Sequence, residues 1–200
     1  MDRSFQNDYM GRPAEFDHGK ARDKALVLFW RKGYQATSLA DLVEAMGISR
    51  SSFYAAFGDK RSLFLECLDL FAERTQALMG EARAAHPPLE ALQFFFERSF
   101  IGSKGTKAHW GCMLVNTILE MADVDDELSA RASAHIADMQ ATFESCLLDT
   151  ACSPAQARDF ARMLMLMNEG VRVASRRKLS AQDQLDPVAT TFRLLRSAIA

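Results

Sequence analysis

Apolar residues recur at intervals of three and four along most of this chain, and no segment shows the Val/Ile/Thr-rich alternation of a half-buried strand. The pattern therefore predicts an all-α protein. Ala21, Ala25, Leu28 and Phe29 form the apolar face of a first helix that stops at Gly33-Tyr34. Leu39, Leu42, Val43 and Met46 mark a short second helix, with Thr37 or Ser38 placed to cap it. Gly47 sits where the chain must turn, and Ser49 is placed to cap a third helix with Phe53 and Phe57 on its buried side. Gly58-Asp59-Lys60 closes that helix and opens a long one, from Asp59 to about Gly80, with Leu63, Phe64, Cys67, Leu68 and Phe71 in one stripe. Beyond the break at Pro87-Pro88, helices are predicted from Leu89 to Ile101, from Trp110 to Ala122 and from Glu127 to Leu148. Ser153-Pro154 has the cap-then-proline order that opens another. A break at Leu179-Ser180 and Pro187 precedes the final helix.

Two capped helices joined by a glycine turn are the plan of a DNA-reading helix-turn-helix. Any helical hairpin can show the same caps and turn, so the outward residues matter. Arg50, Ser51, Ser52 and Tyr54 are all hydrogen-bonding types suited to phosphates and base edges. The net charge of −2 says nothing about nucleic acid, but its distribution does. Through Leu63 there are ten Lys/Arg against eight Asp/Glu, and beyond it fourteen against eighteen, so the positive end is the end with the turn. Ahead of the first helix, Gly11-Arg12-Pro13 is either a plain tail or an arm for a narrow minor groove.

The run from Ala25 to Phe64 resembles the N-terminal domain of the tetracycline-repressor (TetR) family. It carries Phe29, Gly33-Tyr34, Thr37-Ser38, Gly47-Ile48-Ser49, Phe53-Tyr54, Phe57, Lys60 and Leu63-Phe64 in matching order and spacing. Gly111-Cys112-Met113-Leu114-Val115-Asn116 is similar to a string in a subset of these regulators. The resemblance implies an arm over residues 1–17, a helix-turn-helix domain over 18–63 and a helical effector-binding and dimerisation domain over 64–200. It implies a homodimeric regulator, a repressor released from double-stranded operator DNA by a small apolar or aromatic effector. With the helix-turn-helix, it makes Arg50 a base-edge contact and Thr37, Ser38, Ser52, Tyr54 and Lys60 phosphate contacts, with Ser51 also on the reading face and both Ser51 and Ser52 at variable sites that leave base preference open.

In the remainder, Phe160, Leu164, Met167, Val171 and Ala174 form one seam, and Val188, Phe192, Leu195 and Ile199 another. Both suit shallow-angle bundle packing, within the subunit or between two subunits. Met163, Met165 and Leu166 make the penultimate helix apolar on more than one side, which favours a dimer with Phe160, Leu164, Val171, Val188, Phe192 and Leu195 in its interface. The effector pocket implied by the resemblance is placed at Phe94, Trp110, Met113, Asn116, Phe143 and Met167, with Glu120, His135, Asn168 and Arg172 as further polar candidates.

Cys67, Cys112, Cys146 and Cys152 have neither Cys-x-x-Cys nor metal-ligand spacing, so reduced buried thiols are expected, without metal or cofactor. Cys112, near Lys107 and His109, is the candidate if the chain instead senses electrophiles. There is no Gly-x-Ser-x-Gly, phosphate-cradling loop or His-Glu-x-x-His, which argues against an enzyme. A helical interaction protein without specific DNA binding is the other class left open. No apolar run reaches about 18 residues and the start of the chain is polar, so a cytoplasmic protein is expected.

Overall fold

The computed structural model describes residues 16–101, 109–177 and 179–199, and the Gly11-Arg12-Pro13 arm lies outside them. Among the described residues there are nine α-helices and no strand: α1 His18–Lys32, α2 Leu39–Met46, α3 Arg50–Phe57, α4 Lys60–Ala85, α5 Pro88–Ile101, α6 Met113–Met121, α7 Asp126–Leu148, α8 Pro154–Ser175 and α9 Ala181–Ile199.

Local chemistry accounts for most of these boundaries. Asp17, Ser38, Ser49, Asp59, Asp125 and Ser153 each accept a backbone N–H from the first turn of the helix that follows. Such caps satisfy donors that have no partner inside the helix. Of the two residues proposed to cap α2, Ser38 is the one used, in a reciprocal box with Asp41.

Three boundaries differ from the sequence pattern. Helix α4 runs on through Gly80 to Ala85. Helix α6 starts at Met113 rather than Trp110, because the Trp110 carbonyl is taken by the side chains of Asn116 (2.8 Å) and Arg176 (3.1 Å). Pro187 lies inside α9 instead of ahead of it. It removes one in-helix hydrogen bond, but it is exposed, where water can meet the freed carbonyl. Burial of Val188, Phe192 and Leu195 on the other side of α9 outweighs that loss.

The core forms two clusters. The first joins α1, α2, α3 and the start of α4 to Cys112–Val115, Met121, Leu128 and Ala132. The second joins the end of α4 to α5, the C-terminal half of α7, α8 and α9. Helices α4 and α7 run through both, with Leu63–Ala72 and Met79–Ala82 of α4, and Leu128–Ala132 and Met139–Leu147 of α7, in successive clusters. No helix of the described residues is long and apolar enough to cross a membrane.

Candidate functional site

Helix α3 has eight residues, and Phe53 and Phe57 are the two it buries. Gly47 turns the chain into it with φ of 74° and ψ of 35°, a left-handed conformation that a Cβ would strain. With its phenylalanines inward, α3 exposes Arg50 and Ser51, leaves Ser52 half-exposed and shows 53% of Tyr54. The Ser49 hydroxyl lies 2.8 Å from that of Ser51 and 2.9 Å from that of Ser52. A hydroxyl cluster beside an arginine therefore stands at the positive end of a helix dipole, an arrangement suited to phosphate oxygens and base edges.

Two of the residues proposed to touch phosphate face inward instead. Thr37 is fully buried, its hydroxyl donating to the Gly33 carbonyl at 2.6 Å. The Lys60 ammonium donates to the carbonyls of Tyr34 (2.9 Å) and Thr37 (2.8 Å) and stands 4.2 Å from the centre of the Tyr34 ring. Burial pushes the Lys60 pKa below its ordinary value. Both residues close the turn between α1 and α2, where backbone groups would otherwise lack partners. Ser38 is exposed, with its hydroxyl engaged in the α2 cap.

That turn is also where the rest of the molecule takes hold of the helix-turn-helix. The Glu120 carboxylate, near the end of α6, accepts the backbone N–H groups of Tyr34 (2.9 Å) and Gln35 (2.7 Å). Gly33 has φ of 84°, which favours glycine, and a Cβ there would stand 2.7 Å from a Glu120 oxygen and push that carboxylate off its grip on the turn. The Trp30 indole donates to the Gly111 carbonyl at 3.1 Å, and its ring meets Trp110 edge-on at 5.4 Å. Arg61 forks onto Asp125 (2.9 and 3.0 Å) and reaches Glu127 at 2.6 Å.

The Arg61 bond and the Leu128 backbone bond hold the Asp125 carboxyl down to about 2. A carboxylate whose pKa is lower folded than unfolded contributes stability that is present above the ordinary carboxylate value and lost as pH falls toward the folded value. The melting-temperature gap between wild type and Asp125→Asn should thus be constant from pH 7 to about pH 5 and shrink between about pH 4 and pH 2. A gap that does not change with acidification would contradict the Arg61–Asp125 pair.

A cavity of about 220 Å³ lies among α4, α5, α6, α7 and α8. Its wall includes Phe71, Phe95, Leu114, Val115, Ile136, Met139 and Met165, with Cys112, His135, Asn168 and Arg172 among them. None of the six residues first proposed for the effector lines it. Phe94 points outward against His86, with ring centres 4.8 Å apart. Phe143 packs between Phe95 and Phe96, Met113 is buried in the first core cluster, and Met167 packs against the second. Trp110 meets Trp30, and Asn116 bonds the Trp110 carbonyl and borders a separate cleft below the Glu120 contact. For three of them the helical register puts a neighbouring residue into the cavity instead: Phe95 for Phe94, Leu114 for Met113, and Met165 and Asn168 for Met167. Glu120 is engaged at the turn, whereas His135, Asn168 and Arg172 do line the cavity.

The proposed dimer seams are corrected as well. Leu164, Val171, Val188, Phe192 and Leu195 are buried within this subunit, and Phe160 is half-buried against the second core cluster. The apolar residues left on the outside of α8 are Met163, Leu166 and Val173, and α9 exposes Leu194. A regular stripe marks a packed face without saying whose core it packs against. Cys67 and Cys146 are buried, and burial raises the pKa of both thiols.

This architecture has known counterparts. The family described as bacterial regulatory proteins, tetR family, matches residues 22–67, and the C-terminal domain of LmrA/YxaF-like transcriptional regulators matches 88–190. The HTH-type transcriptional repressor ComR of Escherichia coli (strain K12) is 30% identical over 197 residues, spanning 92% of this chain and 91% of ComR. The TetR-family regulator CifR, solved with a 26-base-pair operator, superposes with a TM-score of 0.75 at 26% identity over 91% of this chain and 98% of CifR. A TetR regulator from Legionella pneumophila shares the fold at a TM-score of 0.80, covering 94% of this chain and 100% of its own, at 15% identity. Capped reading helix, glycine turn, connecting helix and helical body thus agree with sequence matches over both parts of the chain, which belongs to the TetR family of bacterial transcriptional regulators.

Proposed function

We propose that this chain is a homodimeric repressor whose residues 18–63 read an operator half-site and whose residues 64–200 dimerise and bind a small effector. The observation that carries the reading is the position of α6. Its N-cap and first residues, Cys112, Leu114 and Val115, form cavity wall, and near its other end Glu120 holds the turn that leads into α2. A helix of nine residues moves as one body, so an effector that displaces its start also displaces the Glu120 grip. Two reading helices must stand about 34–36 Å apart to enter successive major grooves, and a small tilt of each head is enough to spoil that spacing.

ComR, by its name, is a repressor, and CifR was solved on operator DNA, which supports repression through direct DNA contact. Dimerisation is supported by the apolar stripe Met163, Leu166, Gly170 and Val173 on the outer face of α8, at spacings of three, four and three. Arg50, Ser51, Ser52 and Tyr54 carry the proposed DNA contacts, with Ser38 beside them.

Fluorescence anisotropy with DNA from upstream of the chain's own coding region tests the reading. Arg50→Ala should weaken operator binding by about 1–3 kcal/mol and relax preference at one base pair. Wild-type affinity and unchanged base preference in that variant would remove Arg50 from the interface. By linkage, operator DNA must weaken effector binding by the factor by which effector weakens DNA binding, typically about 1–3 kcal/mol. Equal effector affinity with and without operator would rule out release by effector.

A further inference from the structure

The cavity wall contains one polar pair set on an otherwise apolar helix face. Asn168 and Arg172 stand one turn apart on α8, in line with Met165, and all three line the cavity. Asn168 is only 9% exposed, yet its carboxamide oxygen has no hydrogen-bond partner, and its nitrogen meets only the Met165 sulfur at 3.8 Å. Buried amides in folded proteins are ordinarily bonded, and one that is not calls for a missing partner. The other polar groups nearby are engaged: Thr75 with the Phe71 carbonyl, Gln76 with Thr142, and His135 with Asp69.

Arg172 donates to the Ser99 carbonyl at 3.1 Å and brings a guanidinium to the same wall. Burial works against its charge and lowers its pKa from the ordinary value. The parallel N–H donors of a guanidinium match the two oxygens of a carboxylate better than any other small group. Glu73 and Asp138 also border the cavity, but both are exposed at its mouth, where water and salt screen them. A cationic ligand would meet Arg172 unfavourably, and a plain hydrocarbon would leave the Asn168 oxygen unsatisfied. An apolar cavity of about 150 Å³ takes benzene. One of about 220 Å³ therefore has room for a single ring with a short arm.

We infer that the effector is a small, single-ring carboxylate that also carries a hydrogen-bond donor, its carboxylate on the Arg172 guanidinium and its donor on the Asn168 oxygen. The inference rests on the reading of this cavity as the effector site, and the test separates the two.

The probes are 3-(4-hydroxyphenyl)propanoate, 3-phenylpropanoate, the methyl ester of the hydroxy acid, and ethylbenzene, titrated into the full-length protein by calorimetry and followed by thermal shift. The hydroxy acid should bind tightest, with loss of its hydroxyl or its charge each weakening binding about tenfold. Asn168→Leu should erase the advantage of the hydroxy acid over 3-phenylpropanoate and raise the melting temperature by removing an unsatisfied buried amide. Arg172→Met should erase the advantage of acid over ester. Met139→Trp, which fills the cavity, should abolish binding of all four. Equal affinities for acid and ester, or a hydroxyl advantage that survives in Asn168→Leu, would overturn the inference. Ethylbenzene binding that Met139→Trp abolishes, with no binding of either acid, would leave the effector site standing and sink this ligand class. Failure of all four probes to bind would sink both.

Discussion

Leu166→Glu is expected to convert the protein to a monomer and to remove tight operator binding, while leaving the fold of each subunit intact. Leu166 is 69% exposed on α8, centred in the stripe of Met163, Gly170 and Val173, and Leu194 of α9 is 63% exposed. Such residues stay soluble when a second copy covers them. A carboxylate forced into that contact would be buried without a partner, at a cost of several kcal/mol. Each subunit would keep its own reading helix but lose the tether that makes the second half-site an intramolecular event, an advantage of about 10²- to 10⁴-fold. Sedimentation measures the first effect and anisotropy on a full operator the second, with far-ultraviolet circular dichroism as the check on folding. Leu164→Glu is the contrast, because Leu164 is fully buried in its own subunit, and that variant should fail to fold. A dimeric Leu166→Glu protein with wild-type operator affinity would move the interface off this face of α8.

Phe53→Ala is expected to cost about 3–5 kcal/mol of stability and to abolish operator binding even where the rest of the chain stays folded. Phe53 is fully buried, with its ring 5.8 Å from Phe57, and these two are the side chains that α3 buries, with Ala56 packed partly against the same cluster. Eight residues are too few for a helix to hold its shape in water without tertiary packing. The proposed DNA contacts Arg50, Ser51, Ser52 and Tyr54 therefore depend on Phe53 for their orientation, although Phe53 itself faces the core. Against a total stability of about 5–15 kcal/mol, a loss of this size is visible in a denaturant melt. Phe53→Leu, which restores most of the volume, should recover part of both properties. A melt midpoint and operator affinity unchanged in Phe53→Ala would mean that α3 is held by something other than its phenylalanines.

The helix-turn-helix was legible because its determinants are local. A cap needs a Ser or Asp a few positions from the N–H that it satisfies, a tight turn needs a glycine in place, and a buried face needs a short repeat. Ser38, Gly47, Ser49, Phe53 and Phe57 meet those conditions within about twenty residues, and the structure puts each where the pattern does. Thr37 and Lys60 show where that reading stops. Both lie beside the reading face in sequence, but the carbonyls they satisfy, at Gly33, Tyr34 and Thr37, exist as unfilled acceptors only once α1 and α2 meet at an angle.

By itself the sequence determined the helical class, the order of its elements, the reading helix with its outward residues, and a family resemblance that the comparisons bear out. Each of these depends on residues a few positions apart, or on a signature that travels intact along the chain. Tertiary structure decided everything that needs two distant segments together: the Glu120 grip on the turn at Tyr34, 86 residues away, the cavity lined by five helices, and which face of α8 stays outside. Periodicity marks Leu164 and Val171 as one seam, and Met163, Met165 and Leu166 as a second apolar side, of which the structure buries Met165 and leaves Met163 and Leu166 outside in line with Val173. The reason Leu164 and Val171 are core and Met163 and Leu166 are not is that α7, with α6 and α9, folds over one side of α8 and leaves the other to solvent, a choice made by long-range packing and carried by no repeat in α8 itself.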